Sequence, residues 1–107
     1  MPSISVVYPR TAGADFDYDY YRDKHMPLVG ERWAGAGLTG GEALLGTAAL
    51  DGSQAPYFAI GILHFDTAEN LQAALGGEHA AEIIGDIARF TNVQPVLQLN
   101  DRFAPPA

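Results

Sequence analysis

His25 sits within "DYYRDKHMPLVG" (Asp19 to Gly30), four residues after Tyr21 and two before Pro27. Imidazole titrates nearest neutral pH of all unperturbed side chains, and a general acid or base is most efficient there. On a helix, residues four apart share a face, so the Tyr21 phenol would stand beside the imidazole and could hydrogen-bond a carbonyl or enolate oxygen. The helix C-terminus and Asp23 favour the imidazolium, whereas Lys24 and burial disfavour it. The plainer alternative is a histidine that caps the last carbonyls of its helix, beside a tyrosine on an ordinary amphipathic surface.

The remaining polar candidates carry weaker signals. His64 shares a strand face with Phe58, Ile60 and Ile62, an apolar face that is either core or pocket. His79 follows Gly-Gly-Glu at a helix start, which suits a structural or exposed role. Asp86 interrupts the apolar side of "IIGDIARF", so it either hydrogen-bonds Thr91 or a backbone amide, or faces something polar. Gln98 is a ladder residue with its side chain in water or a pocket donor. Trp33, Phe58, Phe65 and Phe90 read as core rather than as an aromatic ligand cage, and they would still give any pocket an apolar wall. No histidine pair has the spacing of a metal site and there is no cysteine, so no metal is expected. "GAGLTGG" follows a helix and lacks a Lys-Ser/Thr, which excludes a phosphate loop and the dinucleotide fingerprint. No nucleophile elbow is present.

The elements that must position these residues follow from periodicity. "SISVVY" alternates as a strand up to Pro9. "DFDYDYYRDKH" has acids early and basic residues late, as a helix does, with Asp15 as N-cap and Phe16 and Tyr20 facing inward. Pro27 biases Met26 away from helical angles, so the helix should end or kink near His25, and a second piece should begin at Pro27. "LTGGEALLGTAAL" reads as an irregular edge strand, "YFAIGILHF" as a central strand, and Asp66 to Glu69 as a capping box opening a helix that runs to Gly76-Gly77. "EHAAEIIGDIARF" places Ala80, Ile83, Ile84 and Ile87 on one helix side, and the last strand spans Val93 to Leu99.

The order is βαββαβ, an α+β, ferredoxin-like arrangement: a four-stranded antiparallel sheet with the helices on one face, a single domain over 1–100 and a tail over 101–107. Strands apolar on both faces leave a bare sheet surface, and a homodimer packed sheet to sheet would cover it. The 107 residues support one core, and 48% apolar against 18% charged residues is a globular balance. The net charge of −7 offers no basic stripe for nucleic acid or an anionic membrane. No signal peptide or apolar run of ~20 residues is evident, so a cytoplasmic protein is expected.

"FDYDYYRDKHMPLV" (Phe16 to Val29) and "HAAEIIGDIARFTNVQPVLQL" (His79 to Leu99) resemble the two signature regions of the EthD family, small proteins of the dimeric α+β barrel superfamily. The likeness covers most of the chain, and only the glycine-rich 38 to 56 region compares poorly. It implies association with oxidative degradation of ethyl tert-butyl ether. It also implies a pocket between sheet and helices, with His25 at its mouth or wall. Superfamily chemistry ranges over cofactor-free monooxygenation, polyketide cyclisation, isomerisation and haem degradation. The only tryptophan, Trp33, is misplaced for the haem-degrading set. The resulting expectation is a cofactor-independent enzyme of monooxygenase, dehydratase, cyclase or isomerase type, acting on a small apolar or aromatic metabolite. His25 and Tyr21 would be catalytic, and Trp33, His64, Asp86, Phe90 and Gln98 would bind substrate. The alternative is a non-catalytic small-molecule binder or accessory dimer.

Overall fold

A computed structural model describes residues 2–105. The elements are β1 (Ser3–Pro9), α1 (Tyr18–Tyr20), a π-helical segment (Tyr21–His25), α2 (Met26–Trp33), β2 (Leu38–Leu45), β3 (Tyr57–Phe65), α3 (Ala68–Leu75), α4 (Glu78–Asp86) with a 3-10 turn (Ile87–Arg89), and β4 (Val96–Asn100). The sheet order is β2-β3-β1-β4, with every pairing antiparallel, as the expected arrangement requires. β2 is an edge strand and β3 lies inside the sheet. The last strand starts after Pro95 rather than at Val93, because proline cannot donate to the ladder.

A second α-helical piece begins beside Pro27, at Met26, as expected, but the first helix does not break off before it. α1, the π segment and α2 form one continuous helical run, with right-handed helical angles at the Tyr21 and Met26 junctions. Pro27 lacks an N–H, and in a regular α-helix its ring would press on the carbonyl four residues back, that of Asp23. The chain widens there instead, and the Met26 N–H bonds the Tyr21 carbonyl five residues back. The N-cap is Asp17, not Asp15: its carboxylate accepts from the Tyr20 N–H at 3.1 Å. The inward face carries Tyr21, His25, Val29 and Trp33, while Tyr20, expected inward, is only half-buried. Thr67 caps α3 by accepting from the Asn70 N–H at 3.0 Å, and Asp66 binds the Asn70 side chain instead of forming a capping box.

One sheet face carries Ile4, Leu63 and Phe65 into a core with Val29, Trp33, Leu71 and Ile83. Tyr8, Tyr21, Phe58 and Phe90 form a second, aromatic cluster around Phe16. A bulge opposite Tyr8 and Pro9 makes Phe58 the extra residue of β3. Its ring stacks on Phe16 at 5.5 Å, so it does not share the face of Ile60, Ile62 and His64. The segment before α1 is stitched to the turn after α4: the Asp17 N–H donates to the Phe90 carbonyl at 2.7 Å and the Thr91 hydroxyl to the Asp15 carbonyl at 2.6 Å. This stitching brings the π segment beside the end of α4. Ala80, Ile83 and Ile87 are buried there as expected, but Ile84 is 52% exposed. The opposite sheet face, bearing Val7, Leu44, Ile60, Ile62 and Val96, has no element over it among the described residues. The far end of the tail, Pro106 and Ala107, lies outside the described residues.

Candidate functional site

The π segment and α4 meet at a buried histidine and carboxylate. His25 is 4% exposed, and its Nδ1 lies 2.9 Å from Asp86 Oδ2. The other oxygen, Asp86 Oδ1, accepts from the Tyr20 hydroxyl at 2.8 Å and faces the Arg89 guanidinium at 3.7 Å. Asp86 therefore binds His25 and Tyr20, and neither Thr91 nor a backbone amide. With the carboxylate on Nδ1, that nitrogen carries the proton and Nε2 presents a lone pair.

Burial is the largest influence on His25 and lowers its pKa below the ordinary 6.5, against the opposing hydrogen bond and charge of Asp86. On Asp86, burial acts upward but is outweighed by the hydrogen bonds from His25 and Tyr20, so its carboxyl stays below the usual range. The pair at neutral pH is a neutral imidazole held by a carboxylate. Such an imidazole is ready to accept a proton, and the imidazolium it becomes is stabilised by Asp86.

The Tyr21 ring stacks on that of His25, with centroids 5.9 Å apart and planes at 18°. Phe90 closes the other side, 4.7 Å from the imidazole centroid. Burial pushes the Tyr21 phenol up to about 12, so it stays protonated as a donor. Its oxygen rests over Gly61: a Cβ there would approach it to 2.9 Å. Gly61 is the site residue that the motif reading missed. An isolated glycine inside the strong strand "AIGIL" was the available signal, because such a glycine marks a close approach.

His25 and Tyr21 line a cavity of about 40 Å³ between the helices and the sheet, walled by Val6, Leu63 and Trp33 and edged by Ile84 and Leu97. Its walls are almost wholly apolar. A water needs roughly 10–15 Å³ of such space, so the cavity admits only a few atoms. Ile84 and Leu97 are 52% and 45% exposed, which places the mouth between α4 and β4. A second, larger cleft of about 380 Å³ lies on the other side of Tyr21, against β2.

Among the expected site residues, the fold brings together His25, Tyr21, Asp86, Trp33 and Phe90. It does not bring His64 or Gln98 to them. His64 pairs with Ser3 and Gln98 with Ser5, both on the uncovered sheet face, where Gln98 donates to Asn100 Oδ1 at 2.8 Å. His79 lies 3.7 Å from the Glu78 carboxylate at the surface. Among the described residues, no group of three or more His, Asp or Glu side chains converges as a metal site would need. No helix there is long and apolar enough to cross a membrane.

A four-stranded antiparallel sheet with helices on one face and a site between the layers defines a ferredoxin-like protein of the dimeric α+β barrel type. The chain belongs to the EthD-like family. It is 37% identical to an EthD-like protein from Ralstonia eutropha JMP134, covering 99% of this chain and 95% of that one with a TM-score of 0.86. An ethyl tert-butyl ether degradation (EthD) family protein from Bacillus halodurans C-125 superposes with a TM-score of 0.76 at 17% identity, over 96% of this chain and 99% of that one. An antibiotic biosynthesis monooxygenase, 14% identical with a TM-score of 0.51 over 97% of this chain and all of that one, shares the fold. No protein-family model and no curated protein sequence matches the chain.

Proposed function

We propose that the protein is a cofactor-independent enzyme of acid–base type acting on a small, uncharged apolar or aromatic carbonyl compound. The observation that carries this reading is the buried Asp86–His25 pair, with His25 and Tyr21 lining the same apolar cavity. His25 Nε2 would take a proton from the carbon next to the carbonyl. The C–H electrons would move onto the carbonyl oxygen, and the Tyr21 hydroxyl would hydrogen-bond the resulting enolate. Asp86 would hold the imidazole in its tautomer and stabilise the imidazolium until the proton returns to carbon or to a leaving group. Dehydration, isomerisation and cyclisation all pass through that enolate. Oxygenation would require dioxygen as the oxidant of the same carbanion.

The test is deuterium exchange at the α-carbon of 2-tetralone in D2O. The protein should accelerate exchange, and His25→Ala should abolish the acceleration while the variant remains folded. Acceleration that survives His25→Ala would remove His25 from the mechanism. Specific binding of the ketone without any exchange would favour the reading of a non-catalytic carrier. The uncovered sheet face supports a homodimer packed sheet to sheet, the state in which Val7, Ile60 and Ile62 leave water.

A further inference from the structure

The helix-facing side of the sheet is not uniformly filled. On β1 it carries Ile4, Val6 and Tyr8, and at the end of β3 it carries Leu63 and Phe65. On β2 and the first half of β3, the same side carries Gly41, Ala43 and Ala59 under the cleft, with Leu45 opposite Ala59 at its far end and Gly61 opposite Ala43. The short side chains leave a flat floor beneath the π segment, and the cleft of about 380 Å³ opens above it. That size falls within the range of roughly 300–1,000 Å³ usual for small-molecule sites.

A second observation points to a ligand there. Tyr21 is 5% exposed, yet no described residue hydrogen-bonds its phenol oxygen. Among the described residues no fully buried side-chain polar atom lacks a partner, so this oxygen must open onto cavity space. It stands over Gly61, which lines the His25 cavity and pairs with Ala43 of the cleft floor, and the Tyr21 ring walls both spaces. Tyr18 and Met26 supply the rest of the roof, an aromatic face and a thioether that both favour a flat π-system. The charges at the rim do not suit an anion: Arg22 is tied to Asp19 at 3.3 Å and Asp23 at 2.7 Å, and Glu42 is acidic.

We infer that this cleft is the recognition site for the body of the substrate, a neutral planar ring system of about two fused rings bearing an oxygen function that Tyr21 hydrogen-bonds. The inference rests on the acid–base reading for the role of His25, but binding in the cleft does not depend on catalysis. The floor residues Ala43 and Ala59 are then the determinants of which ring systems enter.

The experiment titrates the whole protein with 2-naphthol and follows alanine, isoleucine and leucine methyl signals by NMR. Saturable shifts at Ala43 and Ala59 are expected, retained in His25→Ala and weakened at least tenfold in Ala43→Leu. Ala43→Met serves as a second cleft-filling variant, and melting curves verify that each variant folds. Naphthalene-2-carboxylate should bind at least tenfold more weakly than 2-naphthol. Shifts confined to Ile84 and Leu97, no saturable shifts, unchanged affinity in the folded cleft-filling variants, or equal binding of the carboxylate would each overturn the assignment. Loss of exchange activity in His25→Ala with naphthol binding intact separates this inference from the catalytic reading.

Discussion

Replacing Asp86 with alanine tests whether the dyad is an energetic unit. The His25 and Asp86 side chains are 5% and 12% exposed, so neither is strongly screened by solvent. Removing the carboxylate leaves the Nδ1–H buried without an acceptor, and a lost hydrogen bond to a charged group costs about 1.5–3 kcal/mol. The Tyr20 hydroxyl also loses its partner, but Tyr20 is only half-buried and can turn to water. A net loss of about 2 kcal/mol follows. With an unfolding entropy near 2.1 cal/mol/K per residue, a chain of 107 residues has roughly 0.2 kcal/mol/K, so Tm should fall by about 9 °C. Thermal unfolding of Asp86→Ala, His25→Ala and the double variant gives the coupling energy, expected above about 1 kcal/mol. A Tm change under about 3 °C for Asp86→Ala, together with coupling below about 0.5 kcal/mol, would refute the reasoning.

Acid should weaken the fold through the same pair. The folded His25 pKa lies below its ordinary 6.5 and that of Asp86 below its ordinary 3.8, so the unfolded chain binds more protons at either site. Stability from His25 is present above about pH 6.5 and is lost as pH falls toward its folded value, and His25→Gln should flatten that slope in chemical denaturation between about pH 7 and 5. Gly61→Ala should displace the Tyr21 hydroxyl, since the new Cβ would lie 2.9 Å from it, at a cost of about 1–2 kcal/mol in urea unfolding; an unchanged midpoint would show that the phenol has room to spare. Light scattering at low micromolar concentration should give a dimer, and Ile62→Glu on the uncovered face should give a folded monomer; a monomeric parent protein would remove the sheet-to-sheet proposal.

The sequence alone determined the order of elements, because strands and helices leave periods of 2 and 3.6 and their ends carry caps and prolines, signals that are local. Alternation marked β1, an apolar run on both faces marked β3 as central, glycines marked β2 as an edge, and "DYYRDKHMPLVG" placed Tyr21 and His25 four residues apart on one helix. Pro27 was legible in part: a second α-helical piece does begin beside it, but a proline does not announce the wider turn that carries the chain into that piece. Whether that turn forms depends on packing, and Tyr21 and His25 are both buried in it. The partnership of His25 with Asp86 likewise could not be read from the chain, because 61 residues separate them. Tertiary contacts bring the two helices into register, among them the hydrogen bonds tying residues 15–17 to residues 90 and 91 and the Arg32–Glu82 pair. The tertiary structure also decided that His64 and Gln98 face away from the site, because residues on opposite sides of a pleat are separated by the sheet itself. Gly61 was legible as an oddity in a strong strand, and its meaning came from the one atom that needs the space, the phenol oxygen of Tyr21.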